Sequence, residues 1–412
     1  MSKQTVFFVG KAYLHFLDWL LEENYTVYHL FDQKEKYDLD RYFVDSFPLD
    51  LSTEQSFKAG LAAIPVKPDL ILNCTDNSMR LKARICQYYQ LPGPTTESAT
   101  VSSDKFLMRQ AFQKYCPTYS PQFAQVNSWS DIEDFLANPQ IAFPLILKPA
   151  NLSKSLMVSK ANSKEELKEI YQDSISQAKD IYLKENVFLE PSFVIEECLI
   201  GPAYSIEAFC DEKGQVVTAP TAVDLIMARD ININDNYNYS RKLPSQLNSE
   251  QQAAISQAAI AGCQALKLSS VLAHVELFYT AQGPKIIEIG AREGGFRRKM
   301  HLLSQGIDFN FAKILVAQGK LPTFDVQKND GCAVYELFPE KEGNFVEVEN
   351  LDQLQSLPSF YDFDSKRKVG EKIGLARQGY RAVGAVTLTH HNPEQFEKDC
   401  VFLETQVRVK VN

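Results

Sequence analysis

The chain has 412 residues, 45% hydrophobic and 23% charged, a globular composition too long for one compact core and unlike that of a disordered chain. A formal net charge of −9 excludes a general nucleic-acid binder but leaves room for a local basic pocket that takes a small anion. Its eight scattered cysteines form no C-x-x-C and no His-Cys cluster, so they read as buried small hydrophobes in a reducing compartment, neither a disulfide framework nor a zinc site.

The chain passes directly from Met-Ser-Lys-Gln into Thr5–Val9, a β-branched and aromatic run ending at Gly10, and no apolar run approaches the roughly 20 residues of a membrane span. Cytoplasmic residence without a membrane partner is the expectation. Ala12–Leu21 has apolar residues at helical spacing, Tyr25–Phe31 and Asp69–Cys74 repeat the strand signal, and Ser78–Tyr89 reads as a helix. Strands alternating with helices predict a doubly wound parallel α/β sheet over residues 1–95. Gly10 and Asp32 have the separation of a dinucleotide fingerprint, but Val9-Gly10-Lys11-Ala12 lacks G-x-G-x-x-G, and an oxidoreductase is set aside.

Gln90–Thr100, rich in Pro, Gly, Ser and Thr, marks a boundary before a helix over Ser103–Lys114. Asp104 and Lys105 fall in its first turn, where the dipole suits Asp and not Lys, so Lys105 either stands in solvent or meets a phosphate. Pro144–Pro149 is an apolar strand with one charge, Lys148, which is costly to bury unpaired and so calls for an anion. The polar loop Asn151–Ser155 leads to a second strand, Leu156–Lys160, making a hairpin able to close over phosphates with backbone N–H groups and Lys154. Ser163 and Glu166 form a capping box for a helix reaching Ala178. In Phe193–Ile200 the adjacent Glu196 and Glu197 face opposite ways, so at least one needs a polar partner. Tyr204–Cys210 and Val216–Pro220 read as a hairpin, Asp224–Pro244 as a mobile or substrate-facing loop, and Ser249–Lys267 as a helix capped by Ser249.

Two strands then follow in Ala273–Tyr279 and Lys285–Gly290, joined by Thr-Ala-Gln-Gly-Pro. With the hairpin centred on Gln282, Glu276 falls opposite Glu288, their Cβ atoms about 5 Å apart. Like charges so placed need a shared proton or a hard divalent cation; a ligand-free solvent-facing pair is the plainer alternative. The exit, Ala-Arg-Glu-Gly-Gly, adds the anion-binding guanidinium of Arg292 and the glycines Gly294 and Gly295. Phe296–Leu303 carries Arg297, Arg298, Lys299 and His301, read either as a solvated basic face or as a pocket for an anionic substrate. After the helix Phe309–Gln318, residues 321–412 alternate strands (Cys332–Phe338, Gly343–Val348, Tyr380–Thr389, Val401–Val411) with short helices at Leu351–Leu357 and Pro393–Cys400, an α+β region.

In motif order the chain resembles the ATP-grasp superfamily, within it the biotin-carboxylase-like branch that holds L-amino-acid (dipeptide) ligases: Asp104-Lys105, PLILKP, EECLIG, HVE and IIEIGAR-x-GG. The resemblance implies an ATP-grasp fold, with an N-terminal α/β domain (1–95), an ATP-grasp domain (96–320, its lid about 118–195) and a C-terminal α+β domain (321–412). It implies that ATP is bound with Mg2+, or Mn2+ in its place, and that a small carboxylate, an amino acid among the candidates, is joined to an amine through an acyl phosphate. Lys105 and Lys148 would contact phosphates, with Glu196, Glu197 and the Leu199 backbone at the adenine edge. Glu276 and Glu288 would bind the metal, and Arg292, with Gly294, Gly295, Arg297 and Arg298, would face the substrate. Three departures stand out: the lid loop Leu152–Leu156 has no glycine, Ala203 occupies a frequent ribose-binding Glu position, and Gly290 replaces the Asn of Glu-x-Asn. Carboxylation of biotin or another acceptor, and nucleotide binding without turnover, are the competing functions. A homodimer is compatible with all of them, and the C-terminal domain offers surface that no motif explains.

Overall fold

The computed structural model describes residues 3–152, 156–184, 190–235 and 237–412. The N-terminal sheet is wholly parallel, in the order Ser46–Leu49, Thr26–Asp32, Thr5–Val9, Leu70–Asn73. Thr5–Val9 lies inside this sheet and is apolar on both faces, as a strand covered on both sides must be. Phe8 packs with Phe16, Leu17 and Leu20 of the helix Leu14–Glu22, while Phe7 and Val9 face Phe57, Leu61 and Ile85. The edge strand Ser46–Leu49 escapes the sequence pattern because it is short and contains Pro48, which only an edge tolerates.

A small antiparallel sheet follows, ordered Phe123–Val126, Phe193–Glu197, Leu145–Pro149, Ser159–Ala161. Val126, Leu145, Leu147 and Ile195 bury one face with Ile132, Phe135 and Leu167 from the helices Trp129–Leu136 and Lys164–Lys184. The third sheet is antiparallel and runs Gly283–Gly290, Val271–Thr280, Ala203–Cys210, Val223–Met227, Asn238–Leu243, Gly331–Leu337, Gly384–His390, Phe360–Ser365, with Val216–Thr218 beside Ala203–Cys210. Its main core joins Ile206, Ala208, Val275, Leu277, Ile286 and Ile289 to Met108 and Phe112 of the helix Lys105–Tyr115, and to Ile255 and Ala259 of the helix Ser249–Ala265.

Two expectations are corrected here. Asp224–Pro244 is no continuous loop, since Val223–Met227 and Asn238–Leu243 are paired strands of the third sheet. Two of the three buried side chains of Asn238–Leu243 are Ser240 and Arg241, so no apolar alternation marks it. Val401–Gln406 is helical, within Pro393–Gln406, because Phe396, Cys400 and Leu403 share its buried face; only Arg408–Val411 is a strand. Smaller shifts concern caps: Asn248, not Ser249, caps its helix, and Asp104 is the N-cap of Lys105–Tyr115, accepting from the Leu107 amide at 2.9 Å. No helix among the described residues is long and apolar enough to cross a membrane.

Candidate active site

Glu276 and Glu288 are cross-strand partners, by a route the sequence does not display. Thr280 pairs with Gly283, so the hairpin turns on the two residues Ala281-Gln282. A regular ladder from that turn would set Glu276 against Ile287 and Glu288 against the buried Val275. A bulge between Ile286 and Glu288 inserts one residue, and beyond it Glu276 meets Glu288, Val275 meets Ile289 and His274 meets Gly290. Both acids keep about a third of their side chains in solvent, 31% for Glu276 and 34% for Glu288.

Behind Glu276 lies a chain of charges. His274 Nε2 is 3.1 Å from Glu276 Oε1, and its Nδ1 is 2.5 Å from Glu207 Oε1, a fully buried carboxylate that also accepts from the Gly294 amide at 3.2 Å. Burial opposes ionisation of Glu276, but the His274 hydrogen bond and charge, with Arg297 and Arg292, outweigh it and hold the carboxyl down to about 2. Burial likewise opposes protonation of His274, yet Glu207 and Glu276 raise its pKa above the ordinary value. Gly294 has no room for a Cβ, which would stand 2.4 Å from His274 Nδ1. Its amide is therefore engaged within the protein, while Gly295 is open and exposed.

Lys105 is buried, not solvated: its ammonium donates to the Leu152 carbonyl at 2.6 Å and lies 3.4 Å from Glu288. Lys148 finds the anion its apolar strand calls for in Glu196, at 2.8 Å. Glu196 is shared with Arg109, which meets its two oxygens at 2.8 and 3.1 Å. One carboxylate thus faces two buried cations, with Lys105 adding a third positive charge nearby. Burial, and then Arg109 and Lys105 against the pull of Glu196, lower the Lys148 pKa to about 8; Glu196 is itself held below its ordinary value because the two cations overcome its burial. Glu197, on the opposite side, accepts from the Gln122 amide at 3.1 Å, and Leu199 is half-buried at the strand exit. Ala203 is buried within its sheet, facing Leu225 and Phe278. Lys154 lies outside the described residues.

Arg292 donates to Asp76 Oδ2 at 2.9 Å, joining the hairpin exit to the carboxyl end of the N-terminal sheet, where open α/β folds bind ligands. Burial would depress its pKa; Asp76 and Glu288 overcome that and raise it. A Cβ on Gly290 would stand 3.1 Å from Asp76 Oδ1, which is buried without a partner. The basic run after Gly295 is neither a solvated face nor an open cationic pocket. Arg297 is buried against Ser205 Oγ at 3.0 Å, Arg298 forks onto Asp308 at 2.7 Å through both nitrogens, Lys299 meets Asp362 at 2.6 Å and His301 meets Gln305 at 2.8 Å. Arg297 and Arg298 are thus committed to partners in the protein, as Arg292 is to Asp76, while the two glutamates keep about a third of their side chains in solvent.

The donor set suits a hard divalent ion. Glu276 and Glu288 supply paired, partly exposed carboxyl oxygens, and no group of three or more His, Cys, Asp or Glu among the described residues is placed to hold a metal. Two carboxylates with water and phosphate oxygens completing the shell is how magnesium is commonly bound, unlike a closed structural zinc site. Three members of this constellation escape the sequence reading. Glu207 carries the same signal as Lys148, a lone charge in the apolar strand Ala203–Cys210; Arg109 lies four residues from Lys105 on the same helix face; Asp76 carries no signal apart from its place after a strand.

Residues 141–299 match the model of the ATP-grasp domain. An alanine–anticapsin ligase of Bacillus subtilis is 28% identical over 52% of this chain and 46% of its own length, and a D-alanine–D-alanine ligase of Bacillus velezensis is 25% identical over 46% and 51%. The chain spans about half the length of the curated relatives it matches. A solved L-amino acid ligase from Bacillus licheniformis superposes with a TM-score of 0.79 at 18% identity, over 100% of this chain and 99% of that one. A biotin carboxylase domain from Hydrogenobacter thermophilus, in complex with MgADP, ADP and bicarbonate, superposes with a TM-score of 0.69 at 12% identity, over 100% and 91%. The chain therefore carries an ATP-grasp domain, set within the ATP-grasp fold.

Proposed function

We propose that the protein is an ATP-dependent carboxylate–amine ligase. The observation that carries this is the facing pair Glu276 and Glu288, flanked on one side by the cation-rich cluster of Lys105, Arg109 and Lys148 and on the other by Arg292. Buried positive charge that exceeds its internal carboxylates favours an incoming anion, and phosphates fit it. The similarity to enzymes named as alanine–anticapsin and D-alanine–D-alanine ligases supports the same chemistry, with amino acids as the substrate class.

In this reading Lys105 and Lys148, with Lys154, bind the phosphates, and Glu197 and the Leu199 backbone hold the adenine edge. Glu196 acts through Lys148, whose position it fixes. Glu276 and Glu288 hold magnesium, which neutralises charge on the transferring phosphoryl group. The substrate carboxylate attacks the γ-phosphorus and releases ADP; an amine then attacks the acyl carbon, loses a proton and expels phosphate to leave an amide. Arg292 suits the carboxylate and the oxygen that bears charge as the amine adds, because its planar fork binds two oxygens at once. The small sheet and its hairpin exclude water from the acyl phosphate.

The test is a phosphate-release screen pairing amino acids with amines and other amino acids, with mass spectrometry of products. We expect release that needs both partners, an amide product, and loss of both in Glu288→Gln. A Glu288→Gln protein ligating at the wild-type rate overturns the proposal, and release that needs only bicarbonate and free biotin replaces it with carboxylation.

A further inference from the structure

Arg109 is 1% exposed and bonds two elements at once. Its Nε and Nη2 fork onto Glu196 of the small sheet, and Nη2 also donates to the carbonyl of Ile287 at 2.6 Å. Ile287 is the residue that the hairpin bulge inserts immediately before Glu288. A bulge leaves a backbone carbonyl without its ladder partner, and a buried carbonyl without a donor is costly, about 1–3 kcal/mol. Arg109 supplies that donor. Without the bulge Glu288 would turn toward the core side with Val275, and the pair with Glu276 would not exist.

We infer that Arg109 is a positioning residue: by holding the Ile287 carbonyl it keeps the bulge in place, and so keeps Glu288 facing Glu276 where the metal-bearing nucleotide is received. This rests on the function proposed above. A guanidinium is suited to the task because its planar fork bonds the carboxylate and the carbonyl together, whereas an ammonium is a point charge on a flexible stem. The same side chain ties the small sheet to the hairpin, so Lys148 and Glu288 are placed relative to each other by one group.

The test is calorimetry of ADP binding with magnesium and with EDTA, on wild type, Arg109→Lys and Arg109→Gln, with thermal unfolding alongside. Wild type is expected to bind ADP more tightly with magnesium. Arg109→Lys, which keeps a cation for Glu196, is expected to lose at least about tenfold in affinity with magnesium and to stay within about twofold in EDTA, and to need more magnesium for phosphate release. Glu196→Gln, which spares the Ile287 contact, is expected to weaken ADP equally under both conditions. Equal loss with magnesium and EDTA in Arg109→Lys, or no loss, overturns the inference, as does failure of both Arg109 variants to fold, which would make the role structural. If wild type binds no nucleotide, the proposed function fails and this role with it; magnesium-dependent binding in wild type that Arg109→Lys retains sinks the positioning role alone.

Discussion

Replacing Glu207 by Gln tests the charge chain behind the acid pair. Glu207 is fully buried, 2.5 Å from His274 Nδ1, 3.2 Å from the Gly294 amide and 4.0 Å from Arg297 Nε. Gln keeps a polar group but removes the anion, leaving His274 and Arg297 buried with Glu276 alone to offset them. Breaking a buried pair from one side costs about 3–5 kcal/mol, which for a chain of this length is a fall of roughly 3–6 °C in the melting temperature. The pH dependence has a definite sign. Burial resists ionisation of Glu207, but His274 outweighs it and lowers the pKa below the ordinary 4.5; that stability is whole above 4.5 and fades as pH falls through the lowered value. His274 is raised above its ordinary 6.5, so its share is whole below 6.5 and fades as pH rises through the raised value. Melting curves of wild type and Glu207→Gln across pH should therefore differ most between 4.5 and 6.5 and converge toward either end. A loss under about 1 kcal/mol, or a difference that does not change with pH, refutes the charge chain.

Three further outcomes follow from the same geometry. Gly262→Ala puts a Cβ 2.6 Å from Ile286 Cδ1 and 2.7 Å from Ile289 Cδ1, so overpacking of about 1–3 kcal/mol outweighs the gain of about 1 kcal/mol in helix propensity; urea unfolding should show a net loss of about 1 kcal/mol. Gly290→Ala crowds Asp76 Oδ1 at 3.1 Å and Arg292 Cζ at 3.4 Å, and should raise KM for the carboxylate substrate severalfold while leaving that for ATP unchanged. Lys148, depressed to about 8, should regain its proton when phosphate arrives, so ADP binding at pH 8 should take up about half a proton, read by calorimetry in buffers of different ionisation enthalpy and abolished in Lys148→Arg.

Alternation and motif order made the strands of the hairpin legible, and counting from Gln282 paired Glu276 with Glu288. The count succeeded because a two-residue turn and a bulge together give the same pairing as a longer symmetric turn, and neither can be told from the other in the string of residues. What stayed hidden depends on groups far apart in the chain. Arg297, Arg298 and Lys299 look like a free basic stripe until Ser205, Asp308 and Asp362 fold against them. Asn238–Leu243 looks like a loop because its buried positions hold Ser240 and Arg241, and Arg241 is neutralised by Glu336 at 2.7 Å from a strand many residues later. Lys148 was readable as a cation in need of an anion, but Glu196, another charge in an apolar strand, could not be matched to it without the strand pairing.

Asn238–Leu243 is also hydrogen-bonded on its far side to Gly331–Leu337, and Leu243 packs with Cys332, Val334 and Ala385. Trimming the protein near residue 320 would thus strip a row of main-chain amides and carbonyls from their mates and bare an oily seam beside Met300. Such a fragment would seek another polypeptide to complete itself, and its self-association would say nothing about how the intact protein behaves.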